Sequence, residues 1–289
     1  MAKIAVVVDS GLDIPASLLK KHMIGQVPVL VHWRDKQYRD KVDLTLDELF
    51  DGIAAGEPFP TTSQPSPGEF IEVYEALLNK LGEDGLILSF HLGSSFSGTY
   101  ATACSAAAMM PAGSVEVIDT HSLSMGGGWQ ALAAANALES GGDAVAAIRA
   151  AGEVAKTSGV KLILDTLDFV RKGGRISTLQ GLLGSLLNIK PLLEVKDGKL
   201  SSSKKTRSRR LSLEMLLEEV VADSRTKDGR GMHLAVGHAR AEEDKKWLMD
   251  QLSQRLPAAQ QLPFEVGVGI GTHGGPGVLG ICYYQSSEN

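Results

Sequence analysis

Short apolar runs alternate along the chain with longer segments whose apolar residues recur every three or four positions. The short runs predict strands at residues 4–8, 27–33, 86–90, 115–118, 160–164, 233–237, 264–270 and 281–284. The longer segments predict helices over residues 13–22, 45–55, 70–81, 101–110, 129–139, 179–187, 211–224 and 241–256, and one more that ends near 158. A hairpin is expected around Asp197-Gly198. Strands that alternate with helices predict an α/β fold, whose first part has a largely parallel sheet flanked by helices.

The length and composition are those of a folded globular protein. A chain of 289 residues is long enough for about two domains, and we place the boundary near residue 158, giving residues 1–158 and 159–289. Hydrophobic residues make up 43% and charged residues 22% of the chain. The net charge of -5 does not favour binding to nucleic acid.

Neither a membrane segment nor a metal site is predicted. Since no apolar run approaches the ~18 residues of a membrane span, and the first strand follows the N-terminus directly, we expect no transmembrane segment, no signal peptide and a cytoplasmic location. Cys104 and Cys282 are far apart and lack the spacing of metal ligands, so both are expected to be small core residues. No metal and no cofactor are predicted.

The segment from Gly93 to Tyr100 links a predicted strand to an alanine-rich helix. Backbone N–H groups at such a turn, together with the hydroxyls of Ser94, Ser95, Ser97 and Thr99, suit a carboxylate or a phosphate. The segment lacks the lysine of a P-loop and the Gly-x-Ser-x-Gly of a nucleophile elbow. The alternative is an ordinary loop whose serines cap the helix.

Further candidates are scattered along the chain. Asp9 and Ser10 end the first strand, where open α/β sheets bind ligands, while Asp13 is expected to cap the following helix. The proline-rich residues 58–68 are stiff and are expected to pack rather than to act as a flexible linker. His121 near Asp119 is either a general base or a surface histidine.

Two basic segments and one glycine-rich segment are further candidates for binding. Residues 172–177 form a basic glycine loop, and residues 204–210 form a dense basic cluster in an acidic chain. The cluster suits a phosphate, an acidic partner or a solvated helix start. His273 lies among glycines, where it is either held by what it binds or incidental to a turn.

These segments, in this order and over nearly the whole chain, resemble the DegV family of bacterial fatty-acid-binding proteins. The matching segments are Asp9-Ser10, Thr62-Ser63-Gln64-Pro65-Ser66-Pro67, Ser94-Ser95-Phe96-Ser97-Gly98-Thr99-Tyr100, Val117-Ile118-Asp119-Thr120, Lys172-Gly173-Gly174-Arg175-Ile176, Asn188-Ile189-Lys190-Pro191 and Gly271-Thr272-His273-Gly274-Gly275-Pro276-Gly277.

The resemblance implies two α/β domains with a long-chain fatty acid, such as palmitate, bound between them. By similarity, Thr62 and Ser94 hold the carboxylate, and His273 belongs to the same hydrogen-bond network. Arg207 and Arg175 would face the phosphoryl-transfer chemistry or a fatty-acid kinase catalytic subunit. The protein itself would be a carrier without catalytic residues.

Two departures from the family pattern concern the site. Ser95 stands where the family has a spacer, so either Ser94 or Ser95 meets the carboxylate, and Gly11 stands where threonine is common. A second hypothesis is a serine hydrolase or acyl transferase that uses Ser94 or Ser95 with His273 or His121. The sequence shows no residue that would orient such a histidine.

Overall fold

The computed structural model describes residues 3–176, 179, 189–196 and 198–286. Its strands are β1 (Ile4–Asp9), β2 (Gly25–Val27), β3 (Leu30–Trp33), β4 (Lys36–Arg39), β5 (Thr61–Ser63), β6 (Leu86–His91), β7 (Val115–Asp119), β8 (Gly159–Ile163), β9 (Lys190–Lys196), β10 (Lys199–Thr206), β11 (Met232–His238), β12 (Gln260–Glu265) and β13 (Leu279–Gln285). Its helices are α1 (Ala16–Lys21), α2 (Leu46–Ala54), α3 (Pro67–Leu81), α4 (Thr99–Ala107), α5 (Met125–Glu139), α6 (Ala144–Thr157), α7 (Asp168–Lys172), α8 (Arg209–Asp223), α9 (Glu242–Arg255) and α10 (Val268–Gly274).

The strands form three sheets. A parallel sheet has the order β2-β1-β6-β7, and a small antiparallel sheet has the order β4-β3-β5. The third sheet has the order β10-β9-β8-β13-β11-β12 and is antiparallel except for the β11–β12 pair. The predicted α/β class is confirmed. The domain boundary near residue 158 stays a prediction.

The layers follow from the alternation of buried side chains along the strands. In β1, Val6 and Val8 pack toward α5 in a core that also includes Cys282 of β13. Val7 points to the opposite face, where α3 and α4 cover the parallel sheet. Ile281, next to Cys282, packs with α8 and α9 on the far side of the large sheet. Helix α5 therefore lies between the two larger sheets.

The triple glycine at the start of α5 allows this close packing. A Cβ added at Gly127 would lie 2.7 Å from Cδ2 of Leu12 and 2.8 Å from Oγ1 of Thr120. A Cβ added at Gly128 would lie 2.9 Å from the Leu12 carbonyl oxygen. All three glycines lie within the first turn of the helix.

Some local predictions are wrong or incomplete in the N-terminal half. The strand expected over residues 27–33 is interrupted at Pro28, which cannot donate to a ladder, and becomes β2 and β3. Strands β3 and β4 form a hairpin whose turn residues Arg34 and Asp35 have positive φ. The proline-rich segment is packed as expected, and its Thr62 pairs with Val31 in the small sheet.

The last part of the chain also differs from the prediction. The strand expected over residues 264–270 ends at Glu265, and the glycine-rich residues form α10 instead of a turn. Asp13 does not cap α1, because it is buried and accepts hydrogen bonds from distant residues. The hairpin of β9 and β10 is confirmed. Apart from Leu179, the helix expected over residues 179–187 lies outside the described residues, as do Ser177, Asn188 and Asp197.

Candidate ligand-binding site

A mostly apolar cavity is shared by the small sheet, the glycine-serine loop, α10 and the large sheet. Its apolar lining consists of Val29, Leu92, Phe96, Leu123, Leu162, Leu164, Val170, Leu193, Leu200, Ile270 and Val278. Its polar side chains come from four separate segments and are Thr62, Ser63, Ser97, Arg175 and His273. An apolar cavity with a few converging polar groups is the usual form of a small-molecule site.

Thr62 and His273 meet at this cavity. The Oγ1 atom of Thr62 lies 2.8 Å from Nε2 of His273. Burial, and then the nearby positive charge of Arg175, lower the pKa of His273 to about 4. The imidazole is therefore neutral at pH 7, with one nitrogen that donates and one that accepts a hydrogen bond.

The other imidazole nitrogen of His273 is buried, and within the described part of the chain its Nδ1 has no hydrogen-bond partner. The backbone of Gly173 packs directly against this nitrogen, since a Cβ added at Gly173 would lie 2.3 Å from it. The conformation of α7 and the loop after it therefore holds the ring in place. The resemblance placed Thr62 and His273 in one network, and the structure brings the two side chains together.

The glycine-serine loop is arranged differently from the sequence expectation. The Ser94 N–H donates to the Asp119 carboxylate, with its nitrogen 3.2 Å from Oδ1, and the His121 N–H donates to the same oxygen at 2.9 Å. The chain's own carboxylate thus occupies the anion position that the loop's amides were expected to offer. A bound anion at this turn must rely on the side-chain hydroxyls.

The serines of the loop differ in their contacts. Ser94 and Ser95 are exposed and do not line the cavity, whereas Ser97 does. The Ser95 hydroxyl donates to the carbonyl oxygen of Gly198 in the β9–β10 turn, and the Ser97 hydroxyl lies 2.8 Å from Oγ1 of Thr99. Among the described residues, the Ser94 hydroxyl has no hydrogen-bond partner. The Ser94 hydroxyl is thus the unpartnered hydroxyl of this loop in the described structure, although it lies outside the cavity lining.

The two arginines singled out by the resemblance lie in different surroundings. Arg175 is half-buried, lines the cavity and donates to the carbonyl oxygen of Gly173 at 3.0 Å. Arg207 is exposed after β10 and is not among the cavity-lining residues. Within the described ranges, no hydrogen bond or ion pair engages Arg207.

The hydrolase hypothesis gains no support from the contacts of its residues. His273 bonds Thr62, His121 lies 3.4 Å from Asp119, and neither Ser94 nor Ser95 bonds a histidine in the described structure. A Ser-His-Asp set does occur elsewhere, with the Ser89 hydroxyl 2.7 Å from Nε2 of His91.

This Ser-His-Asp set cannot act on a substrate. Nδ1 of His91 lies 3.1 Å from Oδ2 of Asp9, and the Tyr74 hydroxyl lies 2.8 Å from that of Ser89. All four side chains are fully buried. Asp9 also accepts the N–H groups of Gly11 and Leu92, which line the cavity, so the set supports the cavity wall. Sequence reasoning left the role of Asp9 open and missed Ser89 and His91, because strand positions give no sign of a polar partner on the next strand.

The described residues offer neither a metal-ion site nor a membrane-spanning helix. They contain no cluster of three or more histidine, cysteine or acidic side chains able to hold a metal. They also contain no helix with the length and hydropathy needed to cross a bilayer.

The structure is an α/β protein with two larger sheets, one small antiparallel sheet and a mostly apolar cavity that the small and the largest sheet help to line. Residues 3–286 match the family model described as "Uncharacterised protein, DegV family". The chain belongs to the DegV family.

The chain is similar to curated relatives and to solved structures over nearly all of its length. The chain is 36% identical to a DegV domain-containing protein of Streptomyces coelicolor, covering 96% of this chain and 97% of that one. It is 32% identical to Protein DegV of Bacillus subtilis, covering 97% and 98%. A structure titled as fatty acid binding of a DegV family protein from Thermus thermophilus matches with a TM-score of 0.90, 33% identity and coverage of 98% and 100%. The structure of Bacillus subtilis DegV, described as a fatty acid binding protein, matches with a TM-score of 0.89, 32% identity and coverage of 99% and 100%.

Proposed function

We propose that the protein is a non-catalytic carrier that binds a long-chain fatty acid, such as palmitate, in the apolar cavity. The observation that carries this proposal is the combination of an extended apolar lining with the Thr62–His273 pair at the same cavity. The similar proteins from Thermus thermophilus and Bacillus subtilis, both described as fatty acid binding, support it.

The apolar lining accounts for most of the expected affinity. Burial of about fourteen methylenes at ~0.8 kcal/mol each gives roughly 11 kcal/mol of transfer free energy. Each hydrogen bond from a hydroxyl to the carboxylate adds only about 1.5–3 kcal/mol. The tail therefore determines whether the ligand binds, and the head-group contacts determine how the carboxylate is oriented.

Thr62 is the residue that we expect to donate to the carboxylate, with His273 behind it. When the neutral imidazole donates its Nε2 proton to Oγ1 of Thr62, the threonine hydroxyl is left to donate its own proton to an anion. The low pKa of His273 keeps the imidazole neutral at pH 7. A hydroxyl of the glycine-serine loop completes the site, and the free Ser94 hydroxyl fits this role better than that of Ser95.

The carrier would present the carboxyl group to the catalytic subunit of a fatty-acid kinase, which forms an acyl phosphate. Arg175 lines the cavity beside His273, which supports a role in which its guanidinium faces the carboxyl group and the incoming phosphoryl group. The exposed Arg207 would contact the kinase. Positive charge at both positions suits a reaction in which phosphate approaches a carboxylate.

Mass spectrometry of small molecules extracted from the purified protein tests the proposal. We expect a fatty acid at a ratio near one per chain, and its loss when a bulky Leu193→Trp substitution fills the cavity. A phosphorylated metabolite in place of a lipid would overturn the assignment. Turnover of an acyl ester that disappears in Ser94→Ala would instead favour the hydrolase hypothesis.

A further inference from the structure

Helix α10, which carries His273, begins at two buried carboxylates contributed by the N-terminal half of the chain. The Gly267 N–H donates to Oδ1 of Asp13 at 2.7 Å, and the Gly269 N–H donates to Oδ1 of Asp40 at 3.2 Å. Both aspartates are fully buried. The first amides of the helix are thereby paired with side chains more than 200 residues away in sequence.

The second oxygen of each carboxylate is fixed as well. The Ser124 hydroxyl donates to Oδ2 of Asp13 at 2.6 Å, and the Ser10 hydroxyl donates to Oδ2 of Asp40 at 2.6 Å. The ammonium of Lys41 lies 2.9 Å from Oδ1 of Asp13. Since all four oxygens have donors, neither carboxylate is held for a ligand, and each has a defined orientation toward α10.

The small antiparallel sheet connects the two ends of α10. Asp40 directly follows β4, its backbone N–H bonds the Val29 carbonyl oxygen, and β4 pairs with β3. Strand β3 pairs on its other side with β5, which carries Thr62. The same sheet therefore holds the start of α10 through Asp40 and its end through the Thr62–His273 contact.

The glycines of α10 permit this close contact. A Cβ added at Gly267 would lie 2.6 Å from both carboxylate oxygens of Asp40. A Cβ added at Gly271 would lie 2.3 Å from Cδ2 of Leu46 in α2. The glycine-rich sequence around His273 is thus explained by close packing, because at these two glycines the backbone lies directly against Asp40 and α2 with no room for a side chain.

We propose that Asp13 and Asp40 are positioning residues, which set the placement of α10 so that His273 meets Thr62 and the ligand head group. Only the part of this proposal that concerns the ligand head group rests on the proposed fatty-acid function. The effect on His273 does not depend on any ligand. It concerns residues that touch neither the ligand nor the imidazole.

The electrostatics of Asp40 agree with a positioning role. Burial raises the pKa of Asp40, although the hydrogen bond from Ser10 opposes this effect. Ionisation of Asp40 is therefore less favourable in the folded chain than in the unfolded chain, so the charge itself costs stability as the pH rises. Its hydrogen bonds instead specify one position of the helix.

The test compares Asp40→Ala with Asp40→Asn, which keeps an acceptor for the Gly269 N–H. Leu248→Ala is the control for a general loss of stability. Leu248 of α9 packs in a separate hydrophobic cluster, and that cluster includes no residue of α10. Two quantities are measured on each variant of the full chain. The first is the imidazole nitrogen NMR signal of His273 without ligand, and the second is the affinity ratio of palmitate to methyl palmitate.

We expect Asp40→Ala to shift the His273 signal and to lower the acid-to-ester ratio on the order of tenfold, the effect of one misplaced hydrogen bond to a charged group. Asp40→Asn should keep the His273 signal and the acid-to-ester ratio close to their wild-type values. Leu248→Ala should change neither the signal nor the ratio. An unchanged His273 signal in Asp40→Ala, or an equal shift in Leu248→Ala, would overturn the proposal.

A second pair of variants removes the same hydrogen bond from the helix side. Gly269→Pro deletes the N–H in the first turn, where proline is tolerated, and Gly269→Ala is its matched control. Only the proline variant should shift the His273 signal, and equal shifts in both would also overturn the proposal. An acid-to-ester ratio near one in the wild type would refute the carboxylate assignment, while the NMR result would still decide the role of Asp40.

Discussion

The imidazole Nε2 of His273 lies 2.8 Å from the Oγ1 atom of Thr62, although 211 residues separate them in sequence. The contact joins the proline-rich segment to the glycine-rich segment, so it forms only when the two parts of the chain have packed. It places a hydroxyl, backed by a neutral imidazole, at an otherwise apolar cavity.

Removing the Thr62 hydroxyl should weaken binding of the head group without emptying the cavity. We expect Thr62→Val to lower the affinity for palmitate about tenfold, because the carboxylate loses one charge-assisted hydrogen bond. Thr62→Ser should keep most of the affinity. Thr61→Val, one residue earlier in β5 and exposed, is the control. Equal affinity of wild type and Thr62→Val in a fluorescent fatty-acid displacement assay would refute the role of Thr62.

The serines of the glycine-serine loop should differ in importance. Ser94→Ala is expected to lower palmitate affinity about tenfold, whereas Ser95→Ala should leave it unchanged, since the Ser95 hydroxyl already donates to Gly198. Isothermal titration of the two variants, with Ser97→Ala in parallel, checks this. A loss confined to Ser97→Ala would move the head group to the serine that lines the cavity.

Protonation of His273 should destabilise the folded protein in acid. Its pKa is lowered to about 4 by burial and by Arg175, so the unfolded chain binds this proton more readily. The stability that the neutral imidazole contributes is complete above pH ~6.5 and is lost as the pH falls toward 4, up to roughly 3 kcal/mol at ~1.4 kcal/mol per pKa unit.

Urea unfolding from pH 4 to pH 7.5 measures this contribution. We expect the difference in unfolding free energy between wild type and His273→Gln to shrink as the pH is lowered, because other titrating groups cancel in the difference. A difference that stays constant with pH would show that His273 titrates normally.

The contact of Gly173 with His273 makes this glycine sensitive to substitution. Because an added Cβ would lie 2.3 Å from Nδ1 of the imidazole, Gly173→Ala should displace the ring and lower palmitate affinity at least several-fold. Gly152→Ala in α6 has open space around its Cβ and should stabilise the helix by about 0.5–1 kcal/mol. Thermal unfolding and displacement assays distinguish the two, and unchanged affinity in Gly173→Ala would contradict the described packing.

Arg207 should matter for the partner and not for the lipid. We expect Arg207→Ala to keep the affinity for palmitate but to slow acyl phosphate formation by a fatty-acid kinase catalytic subunit at least tenfold. Arg210→Ala is the matched control, since Arg210 is exposed nearby and bonds Glu214. Equal rates for both variants in a phosphate-transfer assay would remove Arg207 from the partner surface.

Local patterns along the chain were sufficient to predict most of the strands and helices and several of their boundaries. The helix expected from residue 45 is present as α2 and Thr45 caps it, because a hydroxyl before a helical apolar pattern is a local signal. The strand at residues 4–8 and the packed proline-rich segment were predicted for the same kind of reason. The strand expected over residues 264–270 was wrong beyond Glu265, because glycine has a low helix propensity and the helical state of α10 depends on packing against Asp40 and Leu46.

The sequence by itself determined the α/β class, the main strands and helices, and the family resemblance that singled out Thr62, Ser94 and His273. Only the tertiary structure decided that the Ser95 hydroxyl is engaged by Gly198, that Asp119 fills the loop's anion position, and that Asp13 and Asp40 hold the helix of His273. The reason is that helix caps and strand patterns depend on neighbours a few residues away. Hydrogen bonds between segments depend on which surfaces meet when the layers pack.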